Sequence, residues 1–268
     1  MFYILVFWLL FLRGYNKEIY KPQFSTRDMA IIQDIKSIRN DFAYVVAPFD
    51  VGKAELEKAG YEIISLEQNV QLRIQEGKDA DISRNGNWVR EGVLYVPKKG
   101  IFLTKKSPIM ANAEEAISCH RNGKDFYLTD AQVEEALSDS VVILGDSIPA
   151  NRFAENPVTV YAFGKTAEAY GQFLKEAGIN EMPVWLANLQ DKLFARQMWL
   201  HGLGVIGRSE LGGCWGLGYL GCNLGVLGVR ESAEGTAKNS EAYTPKQILK
   251  SLEELGFSGI KEGLLKKT

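Results

Sequence analysis

The sequence is poor in cysteine, histidine and proline, and it has almost no net charge. It contains three cysteines, two histidines and eight prolines in 268 residues. An odd and small number of cysteines excludes a disulfide framework. The formal net charge is −2, from 31 basic and 33 acidic residues, so the composition offers no basic surface for nucleic acid. Hydrophobic residues make up 46% of the chain and charged residues 24%, which is typical of a soluble globular protein.

A long apolar run is also missing. The longest, residues 2–12 (FYILVFWLLFL), ends at Arg13 and is about half as long as the ~20 residues that cross a bilayer. It lacks the basic start and the cleavage site of a signal peptide. We interpret it either as a weak membrane anchor or as residues before the true start of translation. Residues 1–24 are therefore kept out of the fold, and the location, cytoplasmic or membrane-tethered through residues 2–12, stays open.

The cysteines and histidines do not form a recognisable metal or catalytic set. Cys119 and His120 are adjacent, and Cys214 and Cys222 lie eight residues apart without a second pair, whereas zinc ligands come in closely spaced pairs. Neither His120 nor His201 has an evident carboxylate partner, so no nucleophile, base and orienting group can be assembled. We predict no metal, no cofactor and no enzymatic activity.

Helical and β patterns alternate along the first two hundred residues and predict an α+β chain. One helix start is explicit: Thr129 and Gln132 have the spacing of a capping box. Residues 92–104 predict a β-hairpin. Residues 194–199 predict at best a weak strand. Thr244-Pro245 predicts the start of a helix in the tail. The remaining predicted helices are 25–40, 51–59, 66–77, 111–122, 129–137 and 165–177, and the remaining predicted strands are 42–48, 140–145, 158–163, 182–187 and 227–230.

The most unusual feature is the segment from His201 to Gly228. Ten of its 28 residues are glycine and six are leucine, and it has no Lys, Gln, Asp, Thr, Ala, Pro, Met or Phe. Flexible linkers combine glycine with serine and lack large apolar residues. Leucines at this density favour burial, which is worth roughly 1.5–3 kcal/mol for each. The segment is therefore predicted to be folded.

Within this segment Gly202, Gly204 and Gly207 match the G-x-G-x-x-G pattern of dinucleotide-binding loops. That loop needs a strand before it and a helix after it. Gly212 and Gly213 follow within a few residues and oppose a helix, and no acidic residue stands about 20 residues further on. A nucleotide-binding protein using Gly202–Gly207 remains an alternative.

Two other blocks carry a family resemblance. Residues 111–137 contain a small-residue helix, a glycine turn and a second helix, with Lys124, Thr129, Asp130, Gln132, Glu134 and Ala136 at matching positions. This block resembles the early helix pair of the C-type-lectin-like domain of formylglycine-generating, sulfatase-modifying proteins. Leu128 and Val133 depart from that pattern, and one extra residue lies between Lys124 and Thr129. Gly228-Val229-Arg230 is similar to the closing strand of that fold, and residues 199–230 resemble the variable region of target proteins of diversity-generating retroelements.

The resemblance implies a C-type-lectin-like domain at 85–232, with its variable region at 199–230, an N-terminal α/β region at 25–84 and a tail at 233–268. Such retroelements mutate adenines, and AAC or AAT codons give a restricted set of residues. In the segment only Glu210 and Trp215 fall outside that set, so these two are expected to be constant. The interleaved leucines would be scaffold, and the glycines would be blank positions that contribute little contact.

Two functions follow from the resemblance. The first is a ligand-binding protein whose changeable surface meets an unknown protein or glycan, without nucleic acid, and with membrane association only through residues 2–12. Rigid scaffolds with variable loops are where recognition usually resides. The second is a sulfatase-modifying-type oxidoreductase that uses Cys214 and Cys222. The predicted ligand-binding positions are His201, Val205, Ile206, Arg208, Cys214, Tyr219, Cys222 and Asn223.

Overall fold

A mixed sheet with helices on both faces forms the body of the protein. The computed structural model describes residues 32–35, 41–189, 191–203, 209–213 and 225–230. The strands are β1 Ile32–Ile35, β2 Asp41–Val45, β3 Glu62–Ile63, β4 Asn87–Val96, β5 Gly100–Thr104, β6 Phe126–Tyr127, β7 Ser140–Val142, β8 Ser147–Pro149, β9 Glu181–Trp185, β10 Phe194–Leu200, β11 Leu211–Gly212 and β12 Gly225–Arg230. They pair in the order β1-β2-β12-β4-β10-β11-β9-β8, and β3 pairs with β12, β5 with β4 and β7, and β6 with β10.

Helices cover both faces of this sheet. They are α1 Phe49–Lys58, α2 Leu66–Glu76, α3 Asp81–Arg84, α4 Pro108–Ala111, α5 Ala113–Arg121, α6 Asp130–Leu137, α7 Pro157–Phe163 and α8 Ala167–Glu176. Helices α2 and α6 both begin with a capping box, Ser65 with Gln68 and Thr129 with Gln132. The second of these boxes confirms the prediction from the sequence. In the part of the chain that the structure describes, no helix is long and apolar enough to cross a membrane, and residues 2–12 lie outside it.

Strand β4 is the centre of the sheet and divides the core into two clusters. Val89, Val93 and Tyr95 belong to one cluster, which includes side chains of α2, α7 and α8. Trp88 and Leu94 belong to the other cluster, which includes side chains of α1, α5 and α6. Successive side chains of a strand point to opposite faces, so a strand that is covered on both sides must be apolar almost throughout. Only Arg90 of β4 is exposed.

The closing strand β12 joins the two ends of the described chain. It pairs antiparallel with β2, Val226 opposite Val45, and parallel with β4, Val226 beside Trp88. Residues before the predicted boundary at residue 85 therefore share one sheet with residues 225–230. The predicted N-terminal α/β region thus contributes strands β2 and β3 to this sheet.

Most predicted elements occur, with shifted ends, but two predictions were wrong. Residues 158–163 form helix α7 instead of a strand because Pro157 occupies the first helical position and the Asn156 side chain accepts a hydrogen bond from the Val158 amide at 2.9 Å. This local start overrides the β preference of Val158 and Val160. Residues 32–35, predicted to be helical, form strand β1 along β2, and the rest of residues 25–40 lies outside the described residues.

A third prediction underestimated a strand. Residues 194–199 looked weak because Arg196 and Gln197 interrupt the apolar pattern, yet β10 runs through seven residues between β4 and β11. Gln197 is fully buried, accepts a hydrogen bond from Ser107 at 2.8 Å and donates one to the Val89 carbonyl. A buried polar side chain is tolerated where its hydrogen bonds are made, and this pairing cannot be read from the local sequence. The predicted tail helix at Thr244 lies outside the described residues.

Glu91 is a buried acidic residue on β4. Its side chain is 1% exposed, and one carboxylate oxygen accepts a hydrogen bond from the Leu66 amide at the start of α2, at 3.0 Å. Burial raises the pKa of the Glu91 carboxyl to about 7, although hydrogen bonds from backbone amides and the nearby Arg90 and Lys105 lower it. The folded state therefore binds a proton that the unfolded chain releases near pH 4.5.

We predict that Glu91→Gln stabilises the protein at alkaline pH. Because the folded pKa lies above the unfolded one, the wild type loses stability as the pH rises from about 4.5 to about 7. Glutamine keeps the acceptor for Leu66 without the charge. At pH 8 the free energy of unfolding of the variant should exceed that of the wild type by roughly a few kcal/mol. At pH 4.5 the two free energies should be nearly equal. Urea denaturation measures both. Glu134→Gln on α6 controls for net charge. An equal difference at both pH values would contradict the prediction.

Candidate functional site

The glycine-rich segment is attached at one end of the central sheet. Gly225 of β12 pairs with Asn87 of β4. Asn87 also lies opposite Leu200 of β10, and Leu200 lies opposite Leu211 of β11. Residues 204–208 and 214–224 lie outside the described residues, but the residues on either side of each belong to this sheet or to the turns next to it. The predicted binding positions other than His201 fall within 204–208 and 214–224: Val205, Ile206, Arg208, Cys214, Tyr219, Cys222 and Asn223.

The described leucines of the segment are part of the core. Leu211 and Leu227 are fully buried, and Leu203 packs against the same cluster. Trp199, at the start of the predicted variable region, is also fully buried, with its ring edge-on to Trp88 at 4.8 Å between ring centroids. The prediction that the leucines are scaffold is confirmed for these three leucines. Leu217, Leu220 and Leu224 lie outside the described residues.

His201 is a buried residue and contributes no side-chain surface, which corrects its prediction as a ligand-facing position. It extends the β10–β11 ladder by one residue, with its amide donating to the Glu210 carbonyl at 2.9 Å. Its side chain is 5% exposed and places Nε2 3.8 Å from the Glu210 carboxylate, which is 1% exposed. The histidine thus has the carboxylate partner that the sequence did not reveal. Glu210, expected to be constant, is a core residue.

Four glycines of the segment are packed too closely for a side chain. A Cβ on Gly202 would overlap the main chain of Arg84 and Asn85, and one on Gly225 would overlap the Val45 carbonyl. A Cβ on Gly213 would lie 2.9 Å from a Val93 methyl group; Gly228 meets Tyr61 in the same way. These glycines are structural, which corrects their interpretation as blank positions. The space at Gly202 is filled by the chain itself, so packing accounts for the first glycine of the G-x-G-x-x-G pattern without a bound nucleotide.

A fully buried arginine lies beneath the start of this segment. Arg73, in the last turn of α2, donates from Nη1 to the His201 carbonyl at 2.8 Å and to the Tyr170 hydroxyl at 3.1 Å. Its Nη2 donates to the carbonyls of Asn85 and Leu200, both at 3.3 Å. Local sequence patterns could not predict this contact because 128 residues separate Arg73 from His201.

The described part of the site has no accessible catalytic group. Ser209 is fully buried, and its hydroxyl lies 2.9 Å from Tyr170 Oη and donates to the His201 carbonyl at 3.3 Å. Its described contacts are with a tyrosine hydroxyl, a guanidinium and a main-chain oxygen, and no imidazole is among them. No cluster of three or more His, Cys, Asp or Glu side chains that could hold a metal occurs among the described residues. Cys214 and Cys222 lie outside them.

A half-buried polar pair lies on another part of the sheet, around Arg196 of β10. The Arg196 guanidinium contacts the Asp125 carboxylate at 2.7 Å. Burial lowers the pKa of the neighbouring His120 imidazole, and the charge of Arg196 lowers it further, whereas Asp125 raises it. Cys119 is partly buried beside it. The Arg196–Asp125 pair ties β10 to the turn between α5 and β6.

Comparison with known proteins identifies the fold. No protein-family model matches the chain, and no curated protein matches it. The chain is similar to a solved structure from a study of how the C-type lectin fold accommodates massive sequence variation in Nanoarchaeota. The match has a TM-score of 0.54 and 16% sequence identity, and it covers 76% of this chain and 99% of that chain. At this identity the likeness shows the fold alone. The protein has a mixed helix and sheet architecture with the C-type lectin fold, as the sequence resemblance predicted.

The extent of this likeness bears on the domain boundary. The matched 76% of 268 residues is about 204 residues, more than the 184 residues from 85 to 268. The likeness therefore includes residues before position 85. This agrees with the pairing of β2 and β12, which makes residues 41–84 part of the lectin-like body.

We predict that Gly202→Ala destabilises the protein more than Gly123→Ala. At Gly202 the added methyl group overlaps the main chain of Arg84 and Asn85, which cannot move without shifting α3. At Gly123 no atom lies within 4 Å, and the only cost is a φ of +69°. A left-handed residue costs about 1–2 kcal/mol. Overpacking costs about 1–3 kcal/mol, and the upper end applies to Gly202 because the overlap is with main-chain atoms. Urea denaturation of both variants compares them, and equal losses would refute close packing at Gly202.

Proposed function

We propose that the protein binds ligands through a changeable surface on residues 199–230, which a diversity-generating retroelement diversifies on a C-type lectin scaffold. The binding positions would be Val205, Ile206, Arg208, Cys214, Tyr219, Cys222 and Asn223. His201 leaves this set because its side chain is buried. Tyrosine and arginine are enriched at interface hot spots, so Tyr219 and Arg208 would carry much of the affinity. The ligand would be a protein or a glycan.

One observation carries the proposal: residues that are buried or packed against the core lie on both sides of 204–208 and 214–224. Leu203, Ser209 and Leu211 flank the first stretch, and Gly213 and Gly225 flank the second. Loops on a rigid scaffold can change sequence without unfolding it. All seven proposed positions fall between these fixed points.

The burial of Glu210 supports the same division. Mutation of adenines in AAC or AAT codons cannot produce glutamate. In a diversified region Glu210 would therefore be a constant residue with a structural role. Glu210 is 1% exposed and faces His201 inside the protein. The neighbour described above is also a protein in which the C-type lectin fold accommodates sequence variation. The alternative, an oxidoreductase acting through Cys214 and Cys222, has no comparable support among the described residues.

The DNA next to the gene tests diversification directly. We expect a near-copy of the segment encoding residues 199–230, adjacent to a reverse transcriptase gene and differing almost only at adenines. The differences should fall in the codons of the seven proposed positions and spare those of Gly202, Glu210 and Leu211. A copy with differences spread evenly over all codons, or no copy at all, would reject the retroelement and leave a C-type-lectin-fold protein with a fixed surface.

Stability measurements test whether these positions are free to change. We predict that replacing all seven residues by serine shifts the free energy of unfolding by about 1 kcal/mol or less, since surface substitutions are usually near neutral. The matched control is Leu211→Ala within the same segment, which should cost about 2–5 kcal/mol because Leu211 is fully buried. A sevenfold variant as unstable as the control would show that the seven side chains hold the fold together.

A further inference from the structure

Strand β4 is irregular in its middle. It pairs with β12 up to Trp88 and with β5 from Gly92 onwards. On its other side Trp88 lies opposite Trp199 and Gly92 opposite Gln197, so residues 89–91 face the single residue between those two on β10. A bulge of this kind interrupts the hydrogen bonds of the strand ladder. Residues 89–91 therefore depend on other contacts.

Two hydrogen bonds join this bulge to the chain at the start of helix α2. The Arg90 amide donates to the Ile64 carbonyl at 2.9 Å, and the Glu91 carboxylate accepts from the Leu66 amide at 3.0 Å. Leu66 is the first residue of α2, and the first amides of a helix have no acceptor within it. The Glu91 side chain, 1% exposed, thus closes the first turn of α2 onto β4.

The groups around the Glu91 carboxyl come from four elements. Burial raises its pKa to about 7, although Arg90 on β4 and Lys105 after β5 lower it. Glu67 is the acidic residue in the first turn of α2. On α7, burial is the main cause that raises the pKa of the Tyr161 hydroxyl, and the charge of Glu91 adds to it. The buried arrangement therefore fits the protonated carboxyl better than the ionised one.

A local opening relieves the cost of ionisation. An ionised carboxylate that stays buried costs free energy, and this cost disappears when water reaches it. Opening is easy at this place because Arg90 and Glu91 are bonded to residues 64–66 by single hydrogen bonds. Proteins open locally at a lower free energy than that of global unfolding, so the ionised side chain reaches water without unfolding the sheet.

We propose that residues 89–91 and the first turn of α2 form a proton-operated joint, which is closed while Glu91 carries its proton and opens when the carboxyl ionises. The last turn of α2 carries Arg73, which donates to the His201 carbonyl at 2.8 Å. The joint therefore adds a pH-dependent element to the helix that supports the end of the sheet used in the proposed function. That consequence rests on the proposed function, whereas the joint itself does not.

Amide hydrogen exchange of the full chain, followed by nuclear magnetic resonance, tests the joint. The amides of Leu66 and Arg90 report on it, and the Val133 amide of α6, a helix that also begins with a capping box, is the reference. Protection at Leu66 and Arg90, relative to Val133, should fall roughly tenfold between pH 6 and pH 8. The reason is that the closed form keeps its proton up to about pH 7, whereas an open form releases it near pH 4.5.

Variants separate the joint from a general loss of stability. Glu91→Gln should abolish the fall, and Glu134→Gln on the exposed face of α6 should leave it as in the wild type. An equal fall at Val133 or at residues 93–96 would show that the proton acts on the whole fold, and it would overturn the joint. The same holds for a wild type without any fall and for a fall that persists in Glu91→Gln.

The comparison of Leu66 with Val133 in the wild type needs no variant, so it decides the question even if Glu91→Gln does not fold. Failure of the proposed function appears only in the DNA search and leaves these exchange results standing.

Discussion

The position of the closing strand constrains the rest of the structure. Residues Gly225–Arg230 lie between β2 and β4, in the middle of the sheet, with Val226 and Leu227 fully buried on opposite faces. Such a strand cannot shift without opening both core clusters. Gly225, with a φ of +66°, and Gly228 allow it to pass close to Val45 and Tyr61. The chain between β10 and β12 is therefore held at both ends, and whatever sequence it carries must fit between two fixed points.

This constraint divides the glycine-rich segment into two kinds of position. Gly202, Gly213, Gly225 and Gly228 are required by packing, and Leu211 and Leu227 fill the core. The unusual composition of the segment therefore has two sources. Part of it reflects the close approach of the strand ends to the main chain around residues 45 and 85, and this part needs no diversification. The proposal of a changeable surface rests on the remaining positions, in 204–208 and 214–224.

Local signals allowed much of the fold to be predicted, whereas the contacts that build the site could not be. The Thr129 and Gln132 capping box, the hairpin of β4 and β5 and the final G-V-R strand each depend on neighbouring residues and were found. Helix α7 was missed because its Asn-Pro start competes with a β-branched run. Strand β10 was underestimated because the hydrogen bonds of the Gln197 side chain are made with the distant residues Ser107 and Val89. Arg73 gave no signal at all, since its partners Tyr170, His201 and Ser209 lie about 100 residues or more away along the chain.

The buried polar groups at this end of the sheet connect the strand ends to one another and face the interior. Ser209, His201 and Glu210 are the residue types of a hydrolytic site, but their exposed fractions are near zero and the described contacts of Ser209 are with Tyr170, Arg73 and a carbonyl. A catalytic group must reach its substrate, whereas these groups hold the strand ends. Buried polar groups that satisfy one another make a unique and rigid arrangement. The changeable surface proposed for this segment would need such an arrangement, because contacts made by main-chain oxygens do not depend on which side chains the neighbouring residues carry.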